Sequence, residues 1–120
     1  MNKKYSDFAP NQRFSVEAVA VCRREHEHAL MTAVIDACQR ALDDYDEDRI
    51  VKKCVRRGNK ANLHPIARAR KLCNEAVQRV IASRPFVTDS NEWVYNQTIV
   101  VLMGRFDNVK AELQKRGFES

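Results

Sequence analysis

Between residues 90 and 116, Tyr95, Ile99, Leu102, Phe106, Val109 and Leu113 recur at alternating steps of four and three. That rhythm keeps six apolar side chains on one face of an α-helix, the a/d seam of a bundle or coiled coil. It predicts a helix from about Ser90 to Arg116, closed by Gly117 and opened by Asp89 and Glu92 at capping-box spacing. Trp93, Val94, Val100 and Val101 lie off the seam, so the first half of this helix is apolar around most of its circumference. A helix at the centre of the bundle is the simpler account. The alternative is a second face that meets another subunit, a homo-oligomer formed through the C-terminal helix.

Three further helices follow from the same reading. Ser15 suits an N-cap for a helix running to Leu42 or Tyr45, with Leu30, Val34, Ala37, Cys38, Ala41 and Tyr45 on one side. Its first half is less clean, because Arg23 and Glu27 fall where the apolar stripe should continue. Val16, Ala18 and Ala20 also alternate as in a strand; helix is preferred because no second strand with matching turn chemistry is evident. The acidic run Asp43 to Asp48 interrupts the pattern. A short helix from Glu47 to Arg57 is then cleanly amphipathic, with Ile50, Val51, Cys54 and Val55 inward and Gly58 as its C-cap. Pro65 fits the first turn of a third helix, which ends near Ser83 because Pro85 restricts Arg84. Its inward face is Ile66, Ala69, Cys73, Ala76, Val77 and Val80.

These elements give an all-α fold: one small helical bundle of about four helices with a long, heptad-patterned helix at the C-terminus. Residues 1–12 are polar, hold Pro10 and read as a flexible arm; residues 13–120 form a single domain. With 120 residues the chain is long enough to bury a modest core. The longest uncharged apolar run, Ile99 to Met103, is far short of a membrane span, and Met1-Asn2-Lys3-Lys4 is followed by no signal-peptide core. Four separated cysteines, Cys22, Cys38, Cys54 and Cys73, read as reduced and mostly buried thiols. A cytoplasmic protein is expected.

Charge changes the picture. From Arg49 to Lys71 there are nine Lys or Arg and no Asp or Glu, while the whole chain carries only +5, so the remainder is net acidic. A localised patch of this kind suits a polyanion or an acidic protein surface. The leading expectation is an accessory protein that binds the backbone of duplex or structured nucleic acid through Arg49, Lys52, Lys53, Arg56, Arg57, Lys60, Arg68 and Lys71, with Arg70 at the boundary of the outward face. No aromatic residue lies between Ile50 and Pro85, which removes the stacking platform of single-strand binders. Unpaired N–H groups at the start of the third helix would offer a phosphate pocket beside Lys60. The rival expectation is an adaptor or inhibitor that uses the same patch, or Trp93, Val100 and Val101, against a protein partner. Exposure of Trp93 with Val100 and Val101 favours the protein-partner or oligomer reading, and burial of all three favours nucleic acid. A solvated helix face, partly neutralised by the acidic run, is the plain alternative to both.

Catalytic and metal chemistry find little support. Glu25 and His28 form one Glu-x-x-His pair, whereas a di-iron bundle needs two with further inward Glu ligands. Cys22 and His26 share a helix face but need distant partners such as Cys54, His64 or Cys73 to hold zinc. Three scattered glycines cannot form a phosphate-binding loop. The acidic run lacks the glycine and alternating ligands of a calcium loop and reads as helix-terminus chemistry. No enzyme activity, metal or cofactor is expected.

Overall fold

The structure, a computed structural model, describes residues 16–56 and 64–119. The expected arm at 1–12, the N-cap Ser15, and Arg57, Gly58 and Lys60 lie outside the described residues, as does the side chain of Cys22. The fold is all-α, with four helices and no strand among the described residues. They are α1 (Val16–Asp44), α2 (Glu47–Val55), α3 (Pro65–Ile81) and α4 (Glu92–Lys115), with a 3-10 turn at Arg84–Phe86 between α3 and α4.

Helices α3 and α4 form an antiparallel hairpin. The Cys73 thiol donates to the Leu102 carbonyl at 3.5 Å, and His64, at the start of α3, meets Phe118, beyond the end of α4, edge to face at 6.2 Å. The other two helices are laid end to end along that hairpin. Asn91 Nδ2 donates to the Leu30 carbonyl at 3.4 Å, Arg105 to the Leu42 and Tyr45 carbonyls at 2.7 and 3.2 Å, and Asn108 to the Glu47 carboxylate at 3.0 Å. Both α1 and α2 therefore run parallel to α4. Together they make one broken rod, and the bundle has three rods in cross-section.

The break is made by the acidic run. Asp46 leaves the helical conformation and its carboxylate accepts the Arg49 N–H at 3.0 Å, capping α2. Asp44 pairs with Arg79, and Asp43 accepts from Gln39. Helix-terminus chemistry thus accounts for Asp46, while Asp44 and Asp43 are taken up by side-chain partners on α3 and α1.

The core follows the predicted seam. Tyr95, Leu102, Val109 and Leu113 of α4 are buried against Val34, Cys38, Ala41, Ile50, Ile66, Cys73 and Val80. Each fully buried leucine or valine contributes about 1.5–3 kcal/mol relative to exposure. Ile99, Phe106 and Val77 are only half-buried, at the edge of the same interface. The Tyr45 hydroxyl, buried between α1 and α3, donates to the Ala69 carbonyl at 2.9 Å.

Several boundaries differ from expectation. Helix α2 ends at Val55, two residues short of the expected end, with Arg56 extended at ψ 134°. Before α4 no capping box forms: Glu92 is the first helical residue and Asp89 lies exposed outside it. The turn is held instead by Asn91, 1% exposed, whose Oδ1 accepts the Thr88 N–H at 2.6 Å while Nδ2 donates to Phe86 and Leu30 carbonyls. At the other end Gly117, at φ +100°, closes α4 as expected. Its N–H bonds Gln114 and the Phe118 N–H bonds Leu113, each at 3.0 Å, a Schellman motif.

Helix α1 is continuous from Val16, so the strand alternative for residues 16–22 does not hold. Its described side chains from Val21 to Ala29 are all exposed, and packing starts at Leu30. Arg23 and Glu27 interrupt the apolar stripe because the helix has by then passed the end of the bundle.

Candidate functional site

Two surfaces answer to the residues singled out in the sequence. The first is basic. On α2, the inward residues Ile50, Val51 and Cys54 leave Arg49, Lys52, Lys53 and Arg56 in solvent. Among the described residues ion pairs join Arg79 to Asp44 and Arg116 to Glu112, and none of these four cations takes part in one. They do not all point one way. Arg49 and Lys53 border a groove of about 240 Å³ between α2 and α3, opposite Glu75 and Arg79 and beside Asp44. Lys52 turns toward α4, next to Asp48, Glu112 and Arg116. Carboxylates thus sit at both margins of the basic strip.

Helix α3 contributes less than its composition suggests. Lys71 is exposed, but Arg68 is half-buried against α2, where with Lys53 it partly offsets the upward push of burial on the Cys54 thiol. Arg70 projects over the far side of α3, its guanidinium 5.3 Å from the centre of the Phe106 ring, and is separated from the patch. The expected phosphate pocket at the start of α3 is also largely filled. Pro65 has no N–H, and His64 caps the helix by accepting the Ile66 N–H on Nδ1 at 3.2 Å. With Arg57 and Lys60 outside the described residues, the described part of the patch is Arg49, Lys52, Lys53, Arg56, Arg68 and Lys71.

The second surface is apolar and lies on α4. Trp93 is 69% exposed, Val100 61% and Met103 58%, whereas Val101 is half-buried. The preferred reading of α4 as a helix enclosed at the centre of the bundle is therefore corrected. Three rods surround one core, and α4 keeps an open side. No charged residue occurs from Trp93 to Gly104, so this side lacks the Lys and Glu that clothe an ordinary solvent face. Gly104, on the same side, has nothing within 4 Å of where a Cβ would stand. Sequence periodicity marked the residues as off-seam, but burial depends on how many neighbours the helix has.

Catalytic and metal candidates are not brought together. His26, His28 and Glu25 are exposed on the projecting part of α1. Cys38, Cys54 and Cys73 are separate buried thiols, and burial pushes Cys54 and Cys73 above the usual thiol range. Among the described residues no three His, Cys, Asp or Glu side chains group as metal ligands, and no helix is long and apolar enough to cross a membrane. No protein-family model, curated protein or solved structure matches the chain.

Proposed function

We propose that this chain is a non-enzymatic accessory protein that docks on another protein through the open side of α4. The observation that carries this reading is the exposure of Trp93 at 69%, with Val100 and Met103 beside it on an uncharged stretch of helix. Single exposed apolar residues are ordinary; a cluster on one helix side marks an interaction surface. Trp and Met are enriched at protein interfaces, and Trp is a frequent hot spot. Replacing Val100 by a photo-crosslinking residue tests the reading in cells. A discrete heterologous protein should be captured, and its purified form should bind the chain at least about 30-fold more weakly after Trp93→Ala, the loss expected for a hot spot of about 2 kcal/mol. Binding by the purified partner that is indifferent to Trp93→Ala would sink the proposal.

A second reading, contact with a nucleic-acid backbone, is favoured by the four exposed cations of α2 with no ion-pair partner among the described residues. Phosphate contacts through Arg49, Lys52, Lys53 and Arg56 would orient the protein without reading sequence. Fluorescence anisotropy with labelled duplexes across a salt series decides this: each neutralised phosphate adds about −0.9 to the log–log slope. The Lys53→Glu/Arg56→Glu/Arg57→Glu variant should then lose binding. Equal affinity in that variant, or no binding at low salt, excludes it.

A further inference from the structure

The open side of α4 carries a second seam. Trp93, Gln97, Val100, Gly104, Asp107 and Ala111 recur at alternating steps of four and three, opposite the buried seam, and all are exposed. A heptad stripe of this kind is the surface against which a second helix packs. We propose that the second helix is α4 of another copy of this chain, lying antiparallel about a two-fold axis level with Leu102. The heterologous docking proposed above uses the same face, but this inference does not rest on it; the second copy is what such a partner would displace.

Complementarity fixes the register. With the axis at Leu102, each residue meets the one equally far on the other side of it. Trp93 then lies over Ala111 of the second copy, Val100 over Gly104, and Gln97 beside Asp107, whose carboxylate accepts from an amide N–H. Large side chains meet small ones, and the two polar residues fall in one layer. Sliding the helices by one heptad in either direction sets Asp107 against Gly104, or Gln97 against Val100. Each slip leaves a polar group in the seam without a partner. Met103 stands beside the axis and meets its own copy. The large exposed side chains of α4, Trp93, Val100 and Met103, are therefore all covered.

Charge selects the direction. In a parallel pair the two Asp107 carboxylates would face each other across the seam. Turned end for end, they lie about 15 Å apart along the helix axis. The exposed carboxylate of Asp89, just before α4, then shares one end of the seam with Lys115 of the second copy.

Gly104 supplies an independent reason. A glycine inside a helix weakens it relative to alanine. Gly117 has a positive φ that calls for glycine, whereas Gly104 has none, and nothing stands within 4 Å of where its Cβ would be. No contact within the chain requires it. Close approach of a second helix, with Val100 of that helix seated on the bare backbone, does.

Sedimentation equilibrium of the full chain, with acrylamide quenching of Trp93 read on the same samples, tests this. One helix pair makes a small interface, so monomer should give way to dimer at about micromolar concentrations. Quenching of Trp93, the only tryptophan, should fall in step. Gly104→Glu, whose Cβ meets nothing within the chain, should keep helicity and raise the dissociation constant at least about 30-fold, because the axis buries the added charge twice. Direction is read by oxidative cross-linking in a Cys22→Ser background: Gln97→Cys mixed with Asp107→Cys should cross-link, and either variant alone should not. A chain that stays monomeric to about 1 mM overturns the proposal. So does a dimer indifferent to Gly104→Glu, or cross-linking of Gln97→Cys with itself. Capture of a heterologous protein at position 100 by a monomeric chain removes the second copy and leaves the docking face standing. Capture of this chain alone does the reverse.

Discussion

The two halves of α1 are one continuous helix in two different situations. From Leu30 to Asp44, Val34, Cys38 and Ala41 are buried between α3 and α4. From Val21 to Ala29 every described side chain is in solvent. Helical propensity sustains both halves, but isolated helices of 12–15 residues are marginal in water. The inner half is held by tertiary packing, and the outer half borrows its nucleation. Helix length and bundle length are thus separate properties, and polar residues enter the core-facing stripe where the neighbours stop.

Four substitutions or conditions sharpen that contrast, and their effects should fall in order. Leu102→Ala empties a fully buried position on the seam and should lower unfolding free energy by about 2–5 kcal/mol in denaturant titration. Asn91→Ala removes the side chain that joins the start of α4 to Leu30, the point where the halves of α1 meet. Loss of its buried hydrogen bonds should cost about 1–3 kcal/mol, and amide exchange near Leu30 should accelerate. Alkaline pH acts on the packed core that holds the inner half, through Tyr45 and through Cys54 and Cys73 on α2 and α3. Burial raises the Tyr45 phenol and the Cys54 and Cys73 thiols above their ordinary values, so the unfolded chain loses these protons first. Stability from this source is fully present below the ordinary thiol pKa of 9.0 and declines as pH rises above it, which thermal melts from pH 7 upward would show. Glu27→Ala, in the outer half, should change stability by no more than about 0.5 kcal/mol. A loss as large as that of Asn91→Ala would mean that the outer half packs against something.

Much of this was legible in the sequence, for uneven reasons. The α4 seam was readable because six apolar residues fix one face regardless of what covers it. Pro65 and Gly117 marked helix ends because their backbones restrict or permit the conformations needed there. Arg23 and Glu27 were visible as an interruption, yet its meaning depended on where α3 and α4 end in space. Asp89 and Glu92 matched a capping spacing by coincidence, and the turn before α4 is held instead by the Asn91 side chain on Thr88, Phe86 and Leu30. On the basic surface, the helical wheel separates inward from outward residues but not left from right. Only the position of α2 against α3 shows that Arg68 joins the patch and Arg70 leaves it. Trp93 was the least legible: an off-seam apolar residue has the same pattern whether a neighbour covers it or not.

The clasp between His64 and Phe118 carries a consequence for chain connectivity. Phe118 is brought to the ring of His64 by the Schellman turn at Gly117, and His64 in turn caps α3, so this end of the hairpin is closed by side chains. The link from Arg56 to His64 need only join ends whose positions the hairpin already sets. Ring-closure entropy grows logarithmically, so doubling such a link costs only about 0.6 kcal/mol. This corner of the protein is therefore where evolution or an engineer can splice in extra sequence with least disturbance to the bundle.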